Sequence, residues 1–189
     1  MRSFNKGFTL IEMLIVAVII GLVVAFAAPK IDVTRFRVQS SMNGIGMVLM
    51  AAERQAITQQ HDVILMFDVT NSKISILDDA NDNGLVDAGE RLRGVSLGEG
   101  IVFSRASANP RPMGAGPVTF TKIVNGLPAV TFHRDGSASE AGGFYLTSIR
   151  AATSGVHLED TRSIELERAT GRASWWKYSP QAATWVRAF

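Results

Sequence analysis

The chain has 189 residues, 47% of them hydrophobic and 19% charged, with no cysteine. That length suits one ordinary domain with or without an appendage and excludes a multidomain enzyme, while the lack of cysteine excludes a disulfide framework, a thiolate zinc site and a cysteine nucleophile. A formal net charge of +2 is too small to advertise a nucleic-acid or acidic-substrate surface.

From Phe8 to Ala28 runs FTLIEMLIVAVIIGLVVAFAA, 21 residues whose polar side chains are Thr9 and Glu12. As a helix it would be roughly 32 Å long, against about 30 Å of bilayer hydrocarbon. Seven residues carrying Arg2 and Lys6 precede it. An ordinary secretory signal has a shorter apolar region, about 7–15 residues. Ala25, Ala27 and Ala28 could serve as its cleavage site, so removal of the whole segment stays open as an alternative. Lys30, Arg35 and Arg37 rival Arg2 and Lys6, so charge does not set the orientation. Glu12 stands one turn inside the run, where insertion costs an acid about 2.5–3.5 kcal/mol. Either it stays hydrated or protonated near the interface, or it meets a positive partner. An α-amino group freed at Phe8 by a cut after Gly7 would be such a partner.

The helical pattern continues beyond the apolar run. Ile31, Val38, Met42, Ile45, Leu49, Ala52 and Ala56 fall on one face with a near-heptad period, opposed by Arg35, Gln39, Asn43 and Arg54. Pro29 should kink the helix and not end it, because the periodicity resumes directly afterwards. Gly21, Gly44 and Gly46 are its weak points. The pattern predicts one long helix from Phe8 to about Gln60, its first half in lipid or a filament core and its second half clamped on a globular domain.

From His61 onward the chain turns to short runs rich in valine, isoleucine, threonine and phenylalanine. Strands are expected at Val63–Val69, Lys73–Leu77, Leu92–Leu97, Ile101–Phe103, Val118–Thr121, Ala129–Phe132, Phe144–Ile149, Ile164–Glu167 and Ala173–Tyr178. Turn pairs such as Asn125-Gly126 and Asp135-Gly136 separate them, and 104–117 reads as a loop. Many short strands with no second helical pattern predict antiparallel sheets packed face to face, an α+β chain overall.

One loop fits a metal template. Residues 79–90 match D-x-[DN]-x-[DN]-G-x5-E at every specified position. Asp79, Asn81 and Asn83 would offer side-chain oxygens, Leu85 its carbonyl, Asp87 a direct or water-mediated ligand and Glu90 a bidentate carboxylate to a structural calcium ion. The alternative is an Asx-rich hairpin tip flanked by strands. No catalytic constellation stands out. His61, His133 and His157 are isolated, with His133 beside Asp135 read as turn chemistry, and there is no H-E-x-x-H, phosphate-loop lysine or G-x-S-x-G elbow. Trp175 and Trp176 adjoin on a strand, one facing the core and the other outward, with burial of both under the tail favoured over a partner-binding anchor.

The stretch KGFTLIEMLIVAVIIGLVVAFAAPK, from Lys6 to Lys30, resembles the leader of type IV pilins and type II secretion pseudopilins. The likeness lies in the basic leader ending at Gly7, then Phe8-Thr9-Leu10, Glu12 and the apolar run closed by Pro29. The acidic loop at 79–90 and the stretch Val130-Thr131-Phe132-His133-Arg134-Asp135-Gly136 resemble the pseudopilin H and FimT-type minor pilins, as does a late hairpin at Thr170-Gly171-Arg172. The resemblance implies a leader at 1–7, cleavage between Gly7 and Phe8 by a prepilin peptidase that methylates the new amine, a membrane and filament helix at 8–28, an amphipathic helix at 29–60 and a periplasmic β-rich domain at 61–189. It implies that Glu12 pairs with a neighbouring subunit's amino terminus, and a non-enzymatic role with no required cofactor beyond the calcium hypothesis. It further implies a single-pass protein of the bacterial inner membrane whose partners are other pilins or pseudopilins. Loss of Arg2 and Lys6 would leave 17 basic against 17 acidic residues. Gly171-Arg172-Ala173-Ser174 lacks the second arginine of DNA-uptake members, so nucleic acid is not an expected partner. Two alternatives stay open: a type IV minor pilin in adhesion, motility or DNA uptake, and a membrane-anchored calcium-binding or hydrolytic module.

Overall fold

A computed structural model of the chain describes residues 7–27 and 32–188. The chain forms two compact units, one ending at Val33 and the other beginning at Thr34. The leader up to Lys6 and the junction holding Ala28, Pro29, Lys30 and Ile31 lie outside the described residues.

In the first unit the apolar run forms helix α1 (Leu10–Ala27). Its large side chains from Leu10 to Val24 are all exposed, up to 92% at Leu10. Among the described residues no helix is long and apolar enough to cross a membrane. The 18 residues of α1 rise about 27 Å at the usual 1.5 Å per residue, and Ala28 is not among them.

The second unit is built on helix α2 (Val33–Gln59), whose buried face is Val38, Met42, Ile45, Gly46, Leu49, Ala52 and Ala56. These are the heptad positions expected, with Gly46 added and Ile31 outside the described residues. The helix ends where Gln60 turns left-handed (φ 59°), its N–H bonded to the Ala56 carbonyl at 3.0 Å.

Ten strands follow: β1 (Asp62–Asp68), β2 (Lys73–Asp79), β3 (Arg91–Ser96), β4 (Ile101–Phe103), β5 (Ile123–Val124), β6 (Leu127–Phe132), β7 (Gly142–Ser148), β8 (Arg162–Leu166), β9 (Ala173–Ser179) and β10 (Thr184–Arg187). They form two antiparallel sheets, ordered β3-β2-β1-β6-β5 and β10-β9-β8-β7-β4. Between β5 and β6, Asn125 and Gly126 both take positive φ (50° and 76°). That is the backbone a two-residue hairpin turn matching the strand twist requires, and the one asparagine-glycine pairs adopt most readily.

One apolar cluster joins the buried face of α2 to residues of both sheets, including Leu65, Phe67 and Val130 from the first and Phe103, Leu146 and Ile164 from the second. Phe67 sits at its centre, with ring centroids 5.0 Å from Phe144 and 5.2 Å from Phe120.

Two expectations are corrected. Val118–Thr121 is not a strand but a single bridge from Val118 to Phe144. Ile149 does not extend β7. It opens a short helix, α3 (Ile149–Ser154), where Ser148 accepts a hydrogen bond from the Ala151 N–H and Gly155 closes in the left-handed region. Six residues are too few for a helical period to show, so the caps carry the signal. β5 and β10, two and four residues long, were likewise too short to stand out from their turns.

Candidate functional site

The N-terminal segment is organised around Thr9 and Glu12. The Thr9 Oγ1 accepts from the Glu12 N–H at 3.3 Å, and a Glu12 carboxylate oxygen accepts from the Thr9 N–H at 3.4 Å. This is a capping box, in which each side chain satisfies a backbone donor that the first turn of a helix leaves open. The T-x-x-E spacing in the sequence announces this cap, although the expectations for Glu12 concern lipid and a freed amine and not its own helix. The carboxylate therefore has a partner within its own helix before any second chain arrives. Gly7 and Phe8 precede the cap outside any helix or strand and are exposed, with nothing within 4 Å of where a Gly7 Cβ would stand. The site is thus open to an enzyme, and the helix behind it is apolar on every side. Such a helix is stable only where lipid or other helices surround it.

The acidic loop joins β2 to β3. Asp79 is fully buried, its two oxygens accepting from the N–H groups of Asn83 at 3.1 Å and Gly84 at 2.7 Å. Asn81 accepts from the Asn83 N–H, and Asn83 from the Leu85 N–H. The amide groups of Asn81 and Asn83 converge on one oxygen of Asp87, at 3.0 and 2.6 Å. They hold that carboxyl below its ordinary value. One Glu90 oxygen accepts from the Asp87 N–H at 3.0 Å, while Oε1 is buried without a partner. Five of the six template residues are thus tied into one hydrogen-bonded loop; Leu85 is exposed and takes part through its N–H. Among the described residues no three of histidine, aspartate and glutamate are grouped so as to hold a metal ion.

His133 Nδ1 lies 3.0 Å from both carboxylate oxygens of Asp62. Asp135, the expected neighbour in turn chemistry, instead accepts from the Ser137 N–H and hydroxyl. The two adjoining tryptophans face opposite sides of β9. Trp175 packs against Gly46 of α2, and Trp176 lies under the Arg111 guanidinium, 3.7 Å above its ring. Arg111 of the 104–117 loop thus covers Trp176, which is half-buried, while Trp185 of the tail packs on Tyr145 and Tyr178.

Comparison with known proteins adds three findings. Residues 2–28 match the prokaryotic N-terminal methylation motif. Residues 42–169 match the family described as type II transport protein GspH. Two solved structures of the minor pseudopilin EpsH from the type II secretion system of Vibrio cholerae are similar to this chain. One is 14% identical with a TM-score of 0.46, covering 75% of this chain and 97% of its own. The other is 13% identical with a TM-score of 0.34, covering 82% and 92%. No curated protein sequence matches the chain.

Proposed function

Since the chain belongs to the type II transport protein GspH family, we propose that it works as a minor pseudopilin, a non-enzymatic subunit of a short periplasmic filament that drives export of folded proteins. The observation that carries this reading is α1, apolar but for Glu12 and exposed from Leu10 to Ala25, directly behind an accessible Gly7-Phe8 bond and the Thr9 cap. A helix of that kind has to pass from lipid to a bundle of like helices without meeting water. Prepilin peptidase cuts after Gly7 and methylates the amine of Phe8. Glu12 then exchanges its weak bond to the Thr9 N–H for the ammonium of a neighbouring subunit, which sets the register between subunits. The β domain lies in the periplasm, held to the inner membrane by the single apolar segment until assembly.

The test is the mass of the mature N-terminus from membranes, together with assembly of a Glu12→Ala variant. A methylated Phe8 start and loss of filament incorporation by Glu12→Ala are the expected results. A chain beginning at Met1, or beyond Ala28, or a Glu12→Ala chain that assembles normally, overturns the reading.

A second reading concerns the loop at 79–90, supported by the partnerless buried Oε1 of Glu90. A calcium ion held by Asp79, Asn81, Asn83, the Leu85 carbonyl, Asp87 and Glu90 would satisfy that oxygen. It requires the amides of Asn81 and Asn83 to turn their oxygens inward. The ion is structural and stiffens the β2–β3 connection. Millimolar calcium then raises the melting temperature of the chain, and Glu90→Gln removes the rise. An unchanged curve for the unmodified chain and for Asp79→Ala removes the ion.

A further inference from the structure

The first sheet ends in an open edge, the outer side of β3, which pairs with β2 alone in the order β3-β2-β1-β6-β5. The Leu97 N–H reaches the Ser72 carbonyl at 3.0 Å, one step beyond the pairing of Ser96 with Lys73. Antiparallel bonds recur at every second residue, so Val95, Arg93 and Arg91 also turn their backbone groups toward β2. Leu92, Gly94 and Ser96 turn theirs outward, and among the described residues no backbone group meets them. Between this edge and α2 lie two cavities that share Val95 in their lining. One, of about 470 Å³, opens among Val48, Ala51, Ala52, Ile76 and Arg93. The other, of about 350 Å³, is lined by Phe36, Ser40, Ser41, Gly44 and Leu97 among others. Ser41 Oγ there is buried with no partner.

The edge is basic on both faces. Arg91 and Arg93 share the face toward α2, where Arg93 meets the neutral Gln55 at 2.6 Å. On the other face the Lys73 side chain lies across Gly94, its Nζ 2.6 Å from where a Cβ would stand. β3 itself, RLRGVS, carries no acid. The acids opposite these cations are engaged: Asp78, across from Arg91, accepts from Gln55, and Asp68, across from Lys73, accepts twice from Asn71. At the far end of the two cavities Arg37 and Glu99 neutralise each other at 3.2 Å. Basic residues on an open edge repel another edge like it. Two copies paired here would bring Arg91, Arg93 and Lys73 of both chains together, whereas an acidic strand would be drawn in.

We infer that the edge of β3 accepts an extended acidic segment of a partner protein as a further strand. Its backbone bonds to Leu92, Gly94 and Ser96, which supplies affinity, and its alternate side chains enter the two cavities, which supplies selectivity. The α2 wall of those cavities, from Phe36 to Ala52, rises about 24 Å, the length of about seven extended residues. Small apolar side chains fit beside Gly44, Val48 and Ala51, and a polar one beside Ser41 gives its hydroxyl a partner. Acidic side chains at the other end meet Arg91, Arg93 and Lys73. The inference concerns the second unit alone and does not depend on the pseudopilin reading.

The test adds an amidated peptide of about seven residues, alternating valine and threonine and ending in two glutamates, to the full chain in neutral detergent. Antiparallel pairing places those glutamates beside Arg91 and Arg93. Binding is read by affinity and by residue-resolved hydrogen exchange. The expected result is new protection at the amides of Leu92, Gly94 and Ser96, with the other edge strands β4, β5 and β10 unchanged. Glutamine in place of the two glutamates weakens binding about fivefold, and lysine abolishes it. Arg91→Gln narrows the gap between the glutamate and glutamine peptides. Leu92→Pro removes an outward N–H and no bond to β2, so it abolishes the protection. Should that variant fail to fold, Arg91→Gln and the peptide series carry the test. Equal affinity for the glutamate and lysine peptides, or protection at a different edge, overturns the inference. So does binding of an amphipathic helical peptide with Leu92, Gly94 and Ser96 still open. A concentration-dependent dimer protected at those three amides overturns it too, because the occupant is then a second copy.

Discussion

Arg111 and Glu165 are joined by a fork of two hydrogen bonds, Nε to Oε1 at 2.5 Å and Nη2 to Oε2 at 2.9 Å. The pair ties the long 104–117 loop to the middle of β8, and the Arg111 guanidinium also covers Trp176. The same residue's N–H donates to the Tyr145 hydroxyl, which in turn donates to the Gly114 carbonyl, both at 2.7 Å. A loop rich in glycine and proline is thereby fixed on the outer face of the second sheet.

Arg111→Met should therefore destabilise the second unit by about 2 kcal/mol, the range for a charged hydrogen-bonded pair. The pair keeps some solvent contact, with side chains 15% and 22% exposed, so the figure stays below that of a fully buried pair. Arg111→Lys should recover little, because an ammonium cannot form the fork or stack as well on Trp176. Urea unfolding of a 34–189 fragment measures both; full rescue by lysine would show that charge alone matters.

Gly44 and Gly46 in α2 should respond oppositely to alanine. Nothing lies within 4 Å of a Cβ at Gly44, whereas at Gly46 it would stand 2.7 Å from the Trp175 ring. Gly44→Ala should stabilise the fragment by up to about 1 kcal/mol, the helix-propensity difference. Gly46→Ala gains the same but forces the indole aside, a crowding cost of about 1–3 kcal/mol, so the net change is a loss. If the two variants melt alike, Trp175 is not held against the helix.

That contrast marks what could be read from the sequence. The buried face of α2 followed from spacing alone, because a 3.6-residue period over 27 residues leaves little ambiguity. Gly46 looked like a weak point, since nothing local announces that an indole 129 positions later will need its space. Short runs of valine, isoleucine, threonine and phenylalanine announce most of the strands. The role of Glu12 as a cap is legible in T-x-x-E. The nearness of Arg35, Arg162 and Lys177 is not legible, because they become neighbours only through strand pairing and helix packing.

Gly143, the second residue of β7, admits no side chain. A Cβ there would fall 2.1 Å from the Ile164 carbonyl oxygen and 2.5 Å from the Met113 sulfur. The methionine can move, but the carbonyl belongs to the paired strand β8. Gly143→Ala should cost about 3 kcal/mol, the upper range for overpacking. Hydrogen exchange should show lost protection concentrated in β7 and β8. Uniform protection with an unchanged unfolding midpoint would mean that the two strands separate more easily than their register implies.

Asp68 links stability to acid. At the β1–β2 turn its carboxylate accepts from the Asn71 side-chain amide at 2.7 Å and from the Asn71 N–H at 2.9 Å. Those bonds, the side-chain one first, hold the group below its ordinary value of 3.8. Because the folded value is the lower one, the unfolded chain takes up protons first as pH falls. The contribution is complete above the ordinary value and disappears as pH drops through the folded one. Asp68→Asn, which keeps an acceptor but no charge, should thus be less stable than the unmodified fragment at pH 6. The difference should shrink steadily toward pH 2, as followed by melting temperature. A gap that stays constant over that interval would assign the loss to turn geometry and not to the carboxylate's charge.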